Sequence, residues 1–225
     1  MRTEGWMIAT FVIFVLGFLL MGRHFERKKR DARELMLYAI LMALAVASRL
    51  VFAWLPHMKP IEALCMLYGA VFGWRVGFLT GSLSIFLSNF AFGQGPWTPW
   101  QMVAYGLGAM VFGWIYHKPL RKKRDRWRKE DRPISPWYYV GMAAVAFVLY
   151  MGFVGPILDT SVIFTTQAVW TKQSIMAMYM AGVPVNFTQG LMSILTIVLI
   201  GPLLVDKLDT ISRKYGIGSE AQTEA

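Results

Sequence analysis

The chain has 225 residues, of which 56% are hydrophobic and only 16% are charged, and its formal net charge is +10 at pH 7. A soluble domain carries about 25% charged residues, so this composition predicts a membrane protein with room for one membrane domain and no separate catalytic domain. The basic residues lie in the polar gaps between apolar runs, where such charges orient a membrane protein. Nucleic-acid binding is therefore not expected.

Seven apolar runs follow one another along the chain, and each approaches the length needed to cross about 30 Å of hydrocarbon. They lie at about residues 6–22, 35–55, 60–74, 76–92, 99–116, 137–158 and 177–204. The sequence predicts an all-α fold, a polytopic membrane helix bundle. We expect an N-terminal transmembrane helix and basic linker at 1–34, a six-helix membrane domain at 35–207, and a cytoplasmic tail at 208–225.

The distribution of basic residues predicts how this bundle is oriented. Strongly basic segments occupy residues 23–30, 118–132 and the region after 205, and the positive-inside rule places them in the cytoplasm. The segments 55–61, 93–98 and 159–174 then lie outside, and a tight cytoplasmic turn is expected near Arg75. The predicted topology has seven helices, with the N-terminus outside and the C-terminus inside.

The ionisable residues give no sign of catalysis. Glu62 and Asp159 are expected at external helix ends, and the three histidines lie far apart at the edges of the predicted spans. A membrane enzyme or proton pump normally places such groups at mid-membrane, where they are costly without a function. The single cysteine, Cys65, excludes a cysteine-rich metal site. Enzyme activity, a metal site, a cofactor and ion-driven transport are therefore not expected.

Two polar residues within the predicted helices could contact a ligand. Arg49 lies toward the outer end of the first long helix, where it could face a substrate cavity or could extend to the lipid headgroups at the outer interface. Asn186, near the start of the last helix, could be a pocket contact or could form a hydrogen bond to another helix. Both interpretations stay open for each residue.

The most distinctive segment runs from residue 88 to residue 102 and contains two glycines, two prolines and two tryptophans. Aromatic faces beside neutral amide and hydroxyl groups suit a pocket for a sizeable polar molecule. An aromatic belt at the membrane interface with a rigid turn would have a similar composition. The candidate binding residues are Asn89, Gln94, Trp97, Thr98, Trp100 and Gln101.

Small residues recur at helical spacing in the first long helix. Ala39, Ala43 and Ala47 are four residues apart and so share one face, which another helix could approach closely. Contact within the bundle would account for the same pattern. A glycine-rich run, residues 69–81, leads toward Ser88 and Asn89.

The alanine ladder, the glycine-rich run and the segment around residues 92–102 together resemble the S components of energy-coupling factor (ECF) transporters. The resemblance covers about residues 35–207 and leaves the N-terminal helix as an addition. It implies a six-helix substrate-binding domain in the bacterial cytoplasmic membrane. It also implies partners: a transmembrane coupling subunit and two ATPase subunits.

By the same resemblance, Ala39, Ala43 and Ala47 would form the docking face, and the segment at residues 94–101 would help to cover the substrate. The leading substrate expectation is a corrinoid such as cobalamin, because the tryptophan-rich segment and a long external segment at 159–174 could cover a large ligand. Other vitamins and vitamin precursors remain open. The alternatives are a membrane enzyme acting on a lipid substrate and a structural membrane subunit without a ligand.

Overall fold

The computed structural model describes residues 32–130, 134–166 and 171–215, and every regular element in these ranges is helical. The elements are α1 (Ala32–Val51), α2 (Ile61–Phe72), α3 (Trp74–Phe92), α4 (Thr98–Lys129), α5 (Pro136–Leu149), a π-helical segment (Tyr150–Val154), α6 (Gly155–Thr166), α7 (Lys172–Leu199) and α8 (Gly201–Lys214). The predicted all-α fold is confirmed. The helix predicted at residues 6–22 lies outside the described residues.

Three of the described helical stretches are long and apolar enough to cross a membrane by length and composition. They are Ala32–Val51, Pro136–Thr165 and Lys172–Leu199. Helix α2 is apolar but has only 12 residues, which is about 18 Å of helix and less than the thickness of the hydrocarbon layer. These lengths support a membrane bundle in which not every helix is a full span.

Helix α2 is the centre of the bundle. All of its residues from Ile61 to Phe72 are buried, and α1, α3, α4 and α7 pack around it. A helix that is apolar on every side is stable only when other helices cover all of its faces. The continuous apolar sequence of this helix therefore explains its central position.

Glycines bring α2, α3 and α4 into close contact. A Cβ on Gly69 or on Gly77 would lie 2.6 Å from the carbonyl oxygen of Ala109, and a Cβ on Gly81 would lie 2.6 Å from that of Tyr105. Only glycine allows the helix backbones to approach this closely. The turn expected near Arg75 is formed by a single residue, Gly73, whose φ of 100° suits glycine.

A π-helical segment joins α5 to α6 without a loop. It comprises Tyr150–Val154 and ends two residues before Pro156. Proline lacks an N–H and its ring collides with the carbonyl group four residues earlier, so a local widening of the helix relieves the conflict. Helix α6 then continues to Thr166, and α7 begins at Lys172. The segment expected to lie outside at 159–174 is therefore helical over its first half.

Ion pairs join the end of α4 to α8. Asp209 on α8 pairs with Arg124, with Arg128 at 3.3 Å and with Arg213 at 3.0 Å, and Arg213 also reaches Asp125 at 2.5 Å. The basic segment predicted at 118–132 is helical as far as Lys129. Helix α8 contains residues on both sides of the domain boundary predicted at 207.

Candidate functional site

A polar network joins the ends of α1 and α3 to the start of α4. Asn89 is 1% exposed; its Oδ1 accepts a hydrogen bond from the Arg49 guanidinium at 2.7 Å. The amide nitrogen of Asn89 donates to Gln101 Oε1 at 2.7 Å and to Thr98 Oγ1 at 3.1 Å. One buried amide therefore holds three helix ends together.

Arg49 points into the bundle at this end. Its guanidinium also donates to Ser88 Oγ and lies over the ring of Phe92, 4.4 Å from the ring centre. A cation over an aromatic ring is attracted to the negative electrostatic potential of the ring face. Of the two interpretations of Arg49, the structure favours the side chain that faces other helices over one that extends to the headgroups.

The segment between α3 and α4 is closed by its own hydrogen bonds. Thr98 Oγ1 donates to Gln94 Oε1 at 2.9 Å and accepts from the Gly95 N–H at 3.2 Å, while Gln94 Nε2 donates to the carbonyl of Phe86 at 3.0 Å. Five of the predicted site residues share this arrangement together with Ser88. This arrangement, here called the loop network, consists of Arg49, Ser88, Asn89, Gln94, Thr98 and Gln101.

The two tryptophans of the segment have different surroundings. Trp100 stacks on Phe164 of α6, with 5.2 Å between ring centres and 24° between planes. Trp97 is 41% exposed, and its ring covers Gly95, where a Cβ would lie 2.4 Å from the indole. Trp100 therefore connects α4 to α6, whereas Trp97 covers the local turn.

Asn186 lies outside the loop network. Its amide nitrogen donates to Asp159 Oδ2 at 2.8 Å, and the side chains occupy space left by Gly155 and Gly182. Thr160, the next residue of α6, shares a hydrogen bond of 2.8 Å with Tyr179, two turns before Asn186 on α7. Asp159 was expected at an external helix end, but it lies within α6 and is paired with α7.

Glu62 lies at a helix end, as expected, but it is fully buried. It is in the first turn of α2 and 0% exposed, and neither carboxyl oxygen has a hydrogen-bond partner among the described residues. Tyr105 and Tyr150 lie close enough to interact with it electrostatically. We call Glu62, Tyr105 and Tyr150 the buried cluster.

Sequence reasoning missed the buried cluster for identifiable reasons. Glu62 follows Pro60 at the start of an apolar run, so it was assigned to the helix end. The signal that could have found it is an acid flanked on its C-terminal side by twelve residues without another charge, because an acid beside a buried run is costly without a role. Tyrosines are common in membrane helices, and nothing in the sequence distinguished Tyr105 and Tyr150.

Lys59 fastens the connection between α1 and α2. Its ammonium donates to the carbonyl oxygens of Phe52, Ala53 and Leu55, and its backbone N–H and carbonyl pair with the Gln189 side chain of α7 at 3.0 and 2.6 Å. Burial and then the nearby charge of Arg49 lower the pKa of Lys59. This connection is therefore held against the bundle beside Arg49.

The alanine ladder faces away from the bundle. Ala39, Ala43 and Ala47 are all exposed, and the apolar side chains beside them, including Ile40 at 57% and Leu44 at 46%, are exposed as well. The contacts of α1 within the bundle use Leu37, Tyr38, Leu41 and Ala45 instead. Contact within the bundle therefore does not explain the ladder.

Within the described ranges no three His, Cys, Asp or Glu residues lie close enough together to hold a metal ion. The donor groups of the site are neutral amides and hydroxyls, with one guanidinium and two carboxyl groups. Neutral amide and hydroxyl groups predominate in this set, which suits an uncharged polar molecule better than a strongly charged one.

The long apolar helices and the polar groups enclosed between them define a helical membrane protein. A family model described as "ECF-type riboflavin transporter, S component" matches residues 28–208. The chain belongs to this family, which confirms the resemblance, and it is a substrate-binding subunit of an ECF transporter. The family is one of transporter components and not one of enzymes. No curated protein and no solved structure gave a match.

Proposed function

We propose that this subunit binds riboflavin, or a flavin closely related to it, at the end of the bundle where the loop network lies. The observation that carries the proposal is the junction of α1, α3 and α4 through Asn89, with Arg49 and Gln101 held beside Tyr105. It places fixed polar groups next to aromatic ones, as a flat polar ring with a polyol chain requires. The description of the family as one of riboflavin transporter components supports the flavin.

A corrinoid has less support than the sequence suggested. The long external segment that was to cover a large ligand is helical as far as Thr166, and the family description names a different vitamin. Riboflavin carries no net charge at neutral pH, which agrees with the neutral amide and hydroxyl groups that predominate in the loop network. Trp100 and Phe164, already stacked at 5.2 Å, provide an aromatic wall.

The remaining expectations from the sequence complete the proposal. The protein crosses the bacterial cytoplasmic membrane several times, with its N-terminus outside, its C-terminus inside and the site on the outer side. Transport requires a transmembrane coupling subunit and two ATPase subunits. The exposed ladder Ala39, Ala43 and Ala47 docks on the coupling subunit, since small side chains allow another helix to approach closely.

Ligand release provides the first test. Gently purified protein is denatured, and the released small molecules are identified by mass spectrometry against an empty-membrane control. A stoichiometric flavin is the expected result. Protein that carries no ligand is titrated with riboflavin, cobalamin and pantothenate, and saturable 1:1 binding of riboflavin is expected. Folded protein that binds cobalamin or pantothenate but not riboflavin would overturn the substrate assignment, and failure to bind any vitamin would favour a structural subunit.

Substitution in the ladder tests the docking face. Ala43→Leu adds bulk to an exposed position and should leave riboflavin binding unchanged while it blocks uptake in cells that contain the ATPase module. Met36→Leu, a size-conserving change at a position of the same helix that is 60% exposed, serves as the control and should support normal uptake. Normal uptake by the Ala43→Leu variant would show that the ladder is not the docking face.

A further inference from the structure

Glu62 is a buried acid without a partner. Both carboxyl oxygens lack a hydrogen bond among the described residues, and the side chain is 0% exposed. An unpaired polar group in a protein interior costs about 1–3 kcal/mol, and a charged one costs more. Buried hydroxyl groups such as those of Thr80 and Ser193 bond backbone carbonyls, although Ser84 Oγ has no partner among the described residues. Glu62 is a buried carboxyl group without a partner there, and packing alone does not explain it.

The surrounding helices leave room for this carboxyl group. A Cβ on Gly108 would lie 2.5 Å from Glu62 Oε1 and 2.6 Å from Val154 Cγ2, so only glycine at this position lets α4 pass the acid. Val154 and Tyr150 both belong to the π-helical segment, and such segments often occur at functional sites because they redirect side chains. Two irregular features therefore meet at the same carboxyl group.

Helix α4 connects Glu62 to the loop network. Gln101, Tyr105 and Gly108 are spaced by four and three residues, so they lie along one face of α4. Gln101 bonds Asn89 of the loop network, and Gly108 faces Glu62. The rise of seven helical residues separates the two ends by about 10 Å. Tyr105 lies between them and interacts electrostatically with both Arg49 and Glu62.

We propose that the buried cluster recognises the carbonyl–NH–carbonyl edge of the flavin ring. The Glu62 carboxyl group accepts the hydrogen bond of the ring N–H, and the hydroxyl groups of Tyr105 and Tyr150 donate to the two carbonyl oxygens. The loop network then surrounds the other end of the ligand. This inference rests on the proposed function and adds to it the residues that select the ring edge.

Recognition of this kind produces a distinct selectivity. A site built to bond an N–H strongly disfavours an analogue without it, because the buried acceptor is then left unpaired. In 3-methylriboflavin this N–H is replaced by a methyl group. We expect the wild-type protein to bind riboflavin at least 100-fold more tightly than 3-methylriboflavin.

The test measures both affinities by quenching of flavin fluorescence for the purified wild-type protein and three variants. Glu62→Leu should weaken riboflavin binding by 10- to 100-fold and reduce the preference over 3-methylriboflavin to less than fivefold. Glu62→Gln retains an acceptor oxygen and should keep most of the preference. Cys65→Ala, a change at another buried position one turn along α2, is the matched control and should leave the preference unchanged.

The outcomes separate this inference from the proposed function. Wild-type protein that does not bind riboflavin overturns the proposed function and the inference together. Wild-type protein that binds riboflavin and its 3-methyl analogue equally well overturns the inference alone. A folded Glu62→Leu variant that keeps the wild-type preference for riboflavin over 3-methylriboflavin also overturns the inference alone. If the Glu62→Leu variant does not fold, the inference is tested by two other results. It is overturned if the wild-type protein shows no preference for riboflavin over 3-methylriboflavin, or if the Glu62→Gln variant loses that preference.

Discussion

The loop network and the buried cluster both consist of polar side chains, but they differ in how far their hydrogen bonds are satisfied. In the loop network, both polar atoms of Asn89 have partners, and Thr98 both donates and accepts. In the buried cluster, neither carboxyl oxygen of Glu62 has a hydrogen-bond partner among the described residues. A satisfied network fixes the positions of helix ends, and an unsatisfied acceptor in the interior is available to a ligand.

This difference assigns separate roles to the two regions. The loop network is expected to determine the stability of the outer end of the bundle and, through it, the shape of the site. The buried cluster is expected to determine which ligand is accepted. Variants of the first should change stability and affinity together, and variants of the second should change affinity with little change in stability.

The largest effect is expected for Asn89→Ala. The change leaves Arg49, Thr98 and Gln101 without their common partner, which should cost about 2–3 kcal/mol and lower the melting temperature by about 5–10 °C. Riboflavin affinity should fall more than tenfold. Thermal unfolding in detergent and flavin titration measure the two quantities. Phe90→Ala, at a neighbouring position that is 69% exposed, is the control. An unchanged melting temperature for Asn89→Ala would contradict the scaffold role.

A smaller and more selective effect is expected for Tyr150→Phe. Loss of one hydroxyl removes a donor worth about 1 kcal/mol, so riboflavin affinity should fall about fivefold to tenfold. The melting temperature should change by less than about 4 °C. Tyr116→Phe removes a more exposed hydroxyl that donates to Gly141 at 3.3 Å, and it should alter neither quantity. Equal losses of riboflavin affinity in the Tyr150→Phe and Tyr116→Phe variants would contradict the role of Tyr150 in ligand binding.

The smallest effects are expected for the tryptophans. Trp100→Ala removes the stack on Phe164, which is worth about 0.5–1.5 kcal/mol, and should weaken riboflavin binding about threefold. Trp97→Ala removes a half-exposed ring over Gly95 and should leave the affinity unchanged. Titration of both variants measures the difference. A larger loss of riboflavin affinity for Trp97→Ala than for Trp100→Ala would support the prediction from the sequence that Trp97 lines the pocket.

Some parts of the site could be predicted from the sequence because they are close together in it. Asn89, Gln94, Thr98 and Gln101 fall within thirteen residues around one turn, so local backbone geometry is enough to bring them together. Arg49 could be proposed as a neighbour but not assigned, since a side chain of its length can also reach the headgroups. For Asn186, a pocket contact and a hydrogen bond to another helix were both open from the sequence, and its amide donates to Asp159 on α6.

The sequence by itself determined the helical class, the family, and the alanine ladder on a single face of α1. These follow from composition and from the 3.6-residue period, which act along the chain. Only the tertiary structure decided that Glu62 is buried, that Gly108 and the π-helical segment make room for it, and that the ladder faces outward. Burial depends on which distant helices pack together, and no local pattern encodes that.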